Sequence, residues 1–339
     1  MGEPLLTDLA CVVHLHTTHS DGTGTTADVI RAARRGAVDV VLLTDHDTLA
    51  GKADEGWHGD VLLLVGEEVS PWRRDHTLVF GVERVLDHRD RPVAEVVREA
   101  PLAFAAHPFS PGSRRFRRFE GMPHTAPFAN SITGVELWSF VTDTAERADS
   151  VGEILRFIVT PLSAIRHPPS ANLIEWDRAC RRRRVVAIGG LDAHQVGVRL
   201  AGRVPLRLMS YSRSFRYLRT HVLVREEPDG ELEHDRAQVY DALGEGRCYI
   251  AVDGLAPARG FAFSGDRVVM GEEAPHEEGR ALHVRVPRPA QIRLLRDGEL
   301  VETVSGAELD HEVRRAGVYR VEAWLGRSCW ILSNPIYLR

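Results

Sequence analysis

Short apolar runs alternate with helical patterns over the first 255 residues of the 339-residue chain. Helical patterns are seen in "TTADVIRAARRG", which Thr25 or Thr26 can cap and Gly36 can end, and in "VAEVVREA" and "NLIEWDRACRRRR". The strand-sized runs are "ACVVHLH", "VDVVLLTDHD", "VLLLVGEEVS", "HTLVFGV", "LAFAAHP", "ITGVELW" and "VVAIGGLDAH". This alternation predicts an α/β fold with a mostly parallel sheet, either open or closed into a barrel.

The pattern changes after about residue 255. Short β segments with turn signals follow, among them "FAFSGDRVVMG", "ALHVRV", "QIRLLRDGELVETV" and "GVYRVEAWL". Asp297-Gly298 between two alternating runs is a strong hairpin signal. We therefore predict an α/β domain over residues 1–255 and a small antiparallel β-sandwich over residues 256–339.

Charge and cysteine usage exclude several classes of protein. A net charge of −5 argues against a general binder of nucleic acids or membrane surfaces, because such a protein needs a broad basic face. The four cysteines form no CxxC pair, which favours a reducing compartment. The sequence shows no signal peptide, and its apolar runs are too short to cross a bilayer. We predict a cytoplasmic protein without a membrane partner or a stable nucleic-acid complex.

Polar side chains with metal-binding groups follow many of the predicted strands. His14 and His16 are separated by two positions, so on a strand they share one face. In an α/β domain, side chains at the carboxyl ends of parallel strands meet in one place. The further residues at such ends are Asp21, Asp45, His46, Asp47, Glu67, Glu68, His76, His107, Asp192 and His194.

This set of side chains predicts a metal site. Imidazoles and carboxylates without a thiolate suit Zn²⁺, Mn²⁺ or Fe²⁺. A mixture of both ligand types is typical of a catalytic site with more than one ion, in which carboxylates bridge the ions. Each feature alone has a structural explanation, since "TDHD" also suits a capping turn and a lone His is usually a satisfied polar residue. Their repetition at successive strand ends favours the metal site.

Five of these stretches resemble the motifs of the PHP (polymerase and histidinol phosphatase) metallohydrolase superfamily. They are "HLHTTHSDG", "TDHDTLAG", "GEEVS", "AAHP" and "GGLDAH", in the order of the family, across residues 12–194. "HTLVFGV" and the terminal "SNPIYLR" are similar to the carbaryl-hydrolase-like subgroup.

The resemblance implies a distorted (β/α)7 barrel that holds two or three divalent ions (Zn, Mn or Fe) at its strand ends. Glu68 is preferred to Glu67 because the family glutamate is the second residue after the glycine, and His19 is expected at the rim. A further ligand is sought among Glu136, His124 and His167, and none fits plainly. The ligands implied by position are His14, His16, Asp21, His46, Glu68, His76, His107, Asp192 and His194.

The resemblance also implies a metal-dependent phosphoesterase that acts on small phosphomonoesters or nucleotides through a metal-activated hydroxide. Asp21 is the candidate catalytic residue, and it or a nearby His would orient the water or protonate the leaving group. The loop "GSRRFRRF" is either a phosphate grip or a solvated basic loop, and its arginines are Arg114, Arg115, Arg117 and Arg118. The expected partner is a small, phosphorylated ester substrate, and a homo-oligomer is compatible with the sequence.

Two other functions stay open at this point. The subgroup resemblance implies a hydrolase of carboxylic or carbamic esters, for which aromatic walls from Trp57, Trp72 or Trp138 would argue. The other alternative is a non-catalytic metal-binding module that uses the β-sandwich as a docking surface. A Ser/His/Asp hydrolase or a nucleotide cofactor is not expected, because the chain lacks the G-x-S-x-G, P-loop and dinucleotide motifs.

Overall fold

The structure is a computed structural model, and it describes residues 6–113, 115, 121–195, 197–200, 204–207, 209–277 and 279–339. The chain divides into two compact units. The histidine-rich unit comprises Ala10–Ile165 and Gly189–Arg219, and the hairpin unit comprises Met1–Leu9, Arg166–Ile188 and Thr220–Arg339. The predicted domain boundary at residue 255 stays a prediction.

Strands and helices both occur through residue 165, but the four strands between residues 56 and 80 follow one another without a helix between them. Short 3-10 turns lie at Ala50–Asp54, Val97–Glu99 and Pro161–Ser163. The other elements are β1 (Thr7–Val13), α1 (Thr26–Gly36), β2 (Val40–Leu43), β3 (Gly56–His58), β4 (Val61–Val65), β5 (Glu67–Val69), β6 (Thr77–Phe80), α2 (Val93–Val96), β7 (Leu102–Ala105), β8 (Gly134–Ser139), α3 (Thr142–Arg147) and α4 (Val151–Val159).

The rest of the chain is richer in strands. Its helices are α5 (Ser170–Cys180), α6 (Tyr211–Ser214) and α7 (Leu232–Glu245). Its strands are β9 (Val186–Gly190), β10 (Gly197–Leu200), β11 (Val204–Arg207), β12 (Leu218–Val224), β13 (Cys248–Val252), β14 (Ala262–Gly265), β15 (Val268–Val269), β16 (Glu273–Ala274), β17 (Ala281–Arg296), β18 (Glu299–Glu312), β19 (Gly317–Leu325), β20 (Ser328–Ser333) and β21 (Ile336–Leu338).

Two sheets place the strand ends of the histidine-rich unit. In the first, β1, β2 and β4 run parallel, and β3 pairs antiparallel with β4. The second has the order β5-β6-β7-β8-β9, with antiparallel pairs up to β7 and a parallel pair between β7 and β8. The α/β class is therefore as predicted, but the sheets mix parallel and antiparallel pairs instead of being mostly parallel. No closed barrel is found among the described strands, so the (β/α)7 barrel is not observed as such.

Helix α1 illustrates how local chemistry sets these elements. The Thr25 hydroxyl accepts a hydrogen bond from the Asp28 amide, and the Asp28 carboxylate accepts one from the Thr25 amide. This capping box satisfies amides that the first helical turn leaves unpaired. Ala37, with φ of 49°, ends the helix in the left-handed conformation. Thr25 is thus the cap, as one of the two predicted candidates.

The hairpin unit is dominated by antiparallel strands. Its sheet has the order β15-β14-β17-β19-β20-β13-β12. Strands β17 and β18 pair on either side of Asp297 and Gly298, whose φ angles of 55° and 86° suit a two-residue hairpin turn. The hairpin prediction at this dipeptide is confirmed. Large side chains such as Trp330 and Phe263 are fully buried in the core. Burial of a large apolar side chain stabilises the folded state by roughly 1.5–3 kcal/mol.

All four cysteines are buried, and none forms a disulfide. Burial raises the pKa of the Cys180 and Cys248 thiols to about 12, so neither ionises at neutral pH. Within the described ranges, no helix combines the length and the apolar composition that crossing a bilayer requires.

Candidate metal centre

The end of β1 carries two histidines into the interior of the histidine-rich unit. His14 and His16 are both fully buried. His14 has a φ of 66°, a conformation that is uncommon outside glycine and often marks a functional position. Backbone pairing fixes this segment, because Leu15 bridges Ala193 in parallel and the His16 amide donates to the Ala193 carbonyl at 3.1 Å. The first and last predicted motifs therefore lie side by side.

Glu68 lies at the centre of the cluster and is fully buried. Five imidazoles surround its carboxylate. Three nitrogens approach Oε2, namely His14 Nε2 at 3.1 Å, His16 Nε2 at 3.3 Å and His46 Nδ1 at 3.2 Å. Two approach Oε1, namely His76 Nδ1 at 2.8 Å and His107 Nε2 at 3.5 Å. A single carboxylate thus joins four of the five predicted motifs.

Two aspartates complete the cluster. Asp192 Oδ1 lies 3.5 Å from a ring nitrogen of His14, of His16 and of His194. Its other oxygen accepts a hydrogen bond from the Thr142 hydroxyl. Asp21 is more than half exposed, and its Oδ1 lies 3.2 Å from His194 Nε2 and 3.7 Å from His46 Nε2. Asp21 therefore marks the solvent side of the cluster.

The donor atoms fit divalent metal ions. Four overlapping groups have all their ligand atoms within 4.8 Å of one another; they are His16, Asp21, His46 and His194; His14, His16 and Asp192; His14, Glu68 and His107; and His46, Glu68 and His76. Both ring nitrogens of His16 and Nδ1 of His107 are buried without a hydrogen-bond partner among the described residues. Buried polar atoms are normally satisfied, so bound cations would supply the partners that these nitrogens lack.

All nine predicted ligands lie in this one cluster, and the side chains of Glu67, His19, His124 and His167 have other partners. Glu67 Oε1 accepts a hydrogen bond from the Leu86 amide at 2.7 Å. His19 is exposed, and its Nε2 lies 3.4 Å from the Thr26 hydroxyl. His124 contacts the Thr77 hydroxyl, and His167 contacts the Pro168 carbonyl.

Glu136 on β8 holds two of the clustered residues, His14 and His107, in place. It is buried; its Oε1 lies 3.0 Å from His14 Nδ1, and its Oε2 accepts from the His107 amide at 2.8 Å. A carboxylate on the far nitrogen of a ligating imidazole fixes the ring and its tautomer. Gly190 makes room for this carboxylate, because a Cβ there would overlap Glu136 Oε1. Glu136 is one of the three candidates for a further ligand that the sequence does not place, and no motif marks this mid-strand position.

Asp45 is a second residue whose role the sequence did not assign. It is buried, and its carboxylate accepts hydrogen bonds from the Thr17 amide at 2.6 Å, the Thr17 hydroxyl at 2.7 Å and the Ser20 hydroxyl at 2.6 Å. Ser20 directly precedes Asp21. Asp45 therefore holds the loop that carries Asp21 against the end of β2.

Strong electrostatic coupling holds the cluster together. Burial lowers the pKa of His14, but the carboxylates of Glu136, Glu68 and Asp192 outweigh it and keep the pKa well above the ordinary value. Burial is likewise outweighed at His107 by Glu68 and at His194 by Asp21, and the pKa of each is raised to about 9. A ligating imidazole is neutral, so bound metal ions would take the place of protons that these carboxylates favour.

The proposed substrate-binding side chains are only partly described. Arg114, Arg117 and Arg118 of the basic loop lie outside the described residues, and Arg115 is exposed. Trp138 is buried in β8, and Trp57 is half-buried. Trp72 is 83% exposed, with the Arg73 guanidinium 5.3 Å from its ring centre.

Comparisons with known proteins reach only distant likeness. No family model matches the chain, and no curated protein matches it. Among solved structures, it is similar to a two-domain protein from Bacteroides vulgatus ATCC 8482 that contains a predicted PHP-like metal-dependent phosphoesterase. The two chains are 17% identical with a TM-score of 0.45, over 97% of this chain and 95% of that chain.

Proposed function

We propose that the chain is a metal-dependent hydrolase of the PHP type that acts as a phosphoesterase on small phosphomonoesters. The observation that carries the proposal is the Glu68 carboxylate, which five buried or partly buried imidazoles surround. His16 Nε2 lies 3.3 Å from Glu68 and 3.5 Å from Asp192 without the geometry of a hydrogen bond, as expected of a nitrogen that would ligate an ion.

Two or three divalent ions would be held by the nine clustered side chains. Bound ions of this kind lower the pKa of a coordinated water from about 15.7 to about 7 and offset negative charge on a phosphoryl group. Zn, Mn and Fe all accept this ligand set. A cluster of concentrated positive charge favours a doubly charged phosphomonoester over an uncharged ester.

The protein side chains position the reacting groups. Asp21 has its pKa lowered to about 2, because hydrogen bonding and charge from His194 outweigh its burial, and it is accordingly ionised at neutral pH. An ionised carboxylate on the solvent side accepts a hydrogen bond from the attacking water and orients it. Glu136 and Asp45 hold His14 and the Asp21 loop in place, which keeps the site in one geometry.

We also propose that the strands of the histidine-rich unit form a distorted barrel. The two sheets approach each other at the carboxyl ends of their strands, where Leu15 bridges Ala193 and His46 bridges Glu68, both in parallel. Such an arrangement is expected where the site lies at the carboxyl end of a β/α barrel.

The experiment is hydrolysis by protein loaded with Mn²⁺ or Zn²⁺, using nitrophenyl phosphate, bis-nitrophenyl phosphate and a naphthyl carbamate in parallel. Metal content is measured on the same samples. We expect turnover of the monoester, reduced by about 100-fold or more in Glu68→Gln, because losing several kcal/mol of charge stabilisation costs tenfold per 1.4 kcal/mol. Glu67→Gln is the matched control, since this neighbouring buried glutamate faces the Leu86 amide.

The other outcomes separate the alternatives. Turnover of the carbamate alone, lost in Glu68→Gln, would replace the phosphoesterase with a carbamic or carboxylic ester hydrolase. Full metal occupancy without turnover of any substrate would support the non-catalytic binding module.

A further inference from the structure

An apolar cavity of about 220 Å³ borders the metal centre within the histidine-rich unit. Asp192 and His194, two of the nine clustered side chains, form part of its lining. The remaining walls come mainly from α4 and from the segments around α3. The apolar side chains that line it include Val141, Ala145, Ile154, Phe157, Ile158 and Met209.

The cavity offers few side chains that could form a hydrogen bond with a ligand. Thr144 lines it, but its hydroxyl already donates to the Phe140 carbonyl at 2.7 Å. No arginine or lysine is found among its described lining residues. Gln195, which also lines the cavity, has a buried side-chain nitrogen without a hydrogen-bond partner in the described part of the chain. The polar groups therefore come from one short stretch, Asp192, His194 and Gln195.

The volume of the cavity and the polarity of its walls together limit which chemical groups can bind in it. An apolar cavity of about 150 Å³ accommodates a benzene molecule. A volume of 220 Å³ accordingly takes one aromatic ring or a compact branched alkyl group. A nucleobase or a sugar would bury several polar edges in these walls without hydrogen bonds, at a cost of about 1–3 kcal/mol for each group.

We infer that this cavity receives the apolar part of the substrate, so that the preferred substrate is a single-ring aryl or branched alkyl ester rather than a nucleotide or a sugar phosphate. The inference rests on the proposed function, because it places the reacting ester group beside Asp192 and His194. The cavity then acts as a specificity pocket, in which burial of apolar surface selects the substrate.

The first test is a binding comparison on metal-loaded protein. Calorimetry measures the affinities of phenylphosphonate and methylphosphonate, which share the anionic group and are not hydrolysed. We expect phenylphosphonate to bind about 10- to 200-fold more tightly, as is typical of apolar groups in a matching pocket. Equal affinities would overturn the inference.

The second test fills the cavity. Ala145→Phe places a ring in the space and is expected to abolish the preference for phenylphosphonate while methylphosphonate binding is unchanged. Leu155→Phe is the matched control, because Leu155 is 56% exposed on α4 and does not line the cavity. If Ala145→Phe does not fold, Ile154→Ala enlarges the cavity instead and is expected to weaken phenylphosphonate binding about tenfold. A preference unchanged in whichever of these variants folds would contradict the inference.

Phenol, which carries no anionic group, separates this inference from the proposed function. Binding of phenol that is lost in Ala145→Phe supports the apolar pocket, even if no phosphate ester is hydrolysed and the proposed reaction is wrong. Hydrolysis of phosphate esters without any binding of phenol, and without a preference for the phenyl group, would uphold the proposed reaction and overturn the pocket.

Discussion

At the scale of single residues, the cluster shows a division between side chains that would hold ions and side chains that hold those ligands. His14 belongs to the first kind, and Glu136 belongs to the second, since it contacts the nitrogen of His14 that faces away from Glu68. A hydrogen-bonding partner of this kind typically changes metal affinity or activity by about 10- to 100-fold. Replacement of a residue that touches neither ion nor substrate is therefore expected to change metal affinity or activity.

Replacement of Glu136 by Gln should weaken metal binding by about 10- to 100-fold. The amide keeps one acceptor oxygen, but its nitrogen only donates, so the side chain can no longer accept hydrogen bonds from both His14 and the His107 amide. Competition with a fluorescent chelator measures the affinity. Gly190→Ala should have a similar effect without removing a charge, because the added methyl group displaces the Glu136 carboxylate. Unchanged affinity in Glu136→Gln would refute the supporting role.

The sequence points to the clustered side chains more readily than to the residues that support them, for a physical reason. Ligands at strand ends recur in short motifs, such as His14-Leu15-His16, whose spacing places both side chains on one face. Glu136 stands in the middle of β8, where nothing local distinguishes it from a buried, paired carboxylate. Its role arises only when β7, β8 and β9 are adjacent, which is a property of tertiary structure.

At the scale of elements, the loop after β1 is held by the end of β2. Three hydrogen bonds from Thr17 and Ser20 converge on the buried Asp45 carboxylate. Helix α1 and the β17–β18 hairpin agree with the sequence prediction because their caps and turns are local signals. Helix α7 was not predicted, since its polar residues surround the helix and only a few side chains, including Val239 and Leu243, are buried.

Replacement of Asp45 by Asn should loosen the Asp21 loop. The amide nitrogen of Asn cannot accept the hydrogen bonds that one carboxylate oxygen of Asp45 now accepts. We therefore expect a loss of metal affinity of at least tenfold, because replacing a supporting group typically costs about 10- to 100-fold. Ser20→Ala removes one bond of the three and should cost less. Metal titration of the three proteins checks the order. Equal affinities in Asp45→Asn and the wild type would contradict this account.

At the scale of the whole molecule, buried charged groups that are far apart in the sequence contact one another in the fold and affect its stability. In the hairpin unit, His221 lies 2.7 Å from Asp8 and 3.3 Å from Asp253, and Tyr249 donates to Asp8. Burial lowers the pKa of His221, but the two aspartates outweigh it and raise the pKa to about 9. The folded chain therefore binds this proton more tightly than the unfolded chain does.

This raised pKa predicts how stability varies with pH. The contribution of His221 is fully present below the unfolded pKa of about 6.5 and is lost as the pH rises through about 9, with a slope of at most about 1.4 kcal/mol per pH unit for one proton. Denaturant unfolding of metal-saturated protein between pH 6 and 9 measures it. His221→Gln should flatten the profile, and a profile as steep as that of the wild type would exclude His221 as its source.

Removal of metal should lower the melting temperature. Ions that bind only the folded chain stabilise it by about 2.7 kcal/mol at a free concentration 100 times the dissociation constant. We expect chelation to remove this increment from the wild type and to have little effect on Glu68→Gln. Scanning calorimetry with and without chelator makes the comparison. An equal shift in both proteins would place the stabilising ion outside the cluster.

The burial of all four cysteines has a practical consequence for work on this protein. The native chain offers almost no background to thiol-reactive probes, because none of its thiols is exposed and two of them have a pKa raised to about 12. A single cysteine introduced at exposed Leu155 would be the one site that a maleimide dye labels. A label is therefore attachable at one defined position without first deleting native residues.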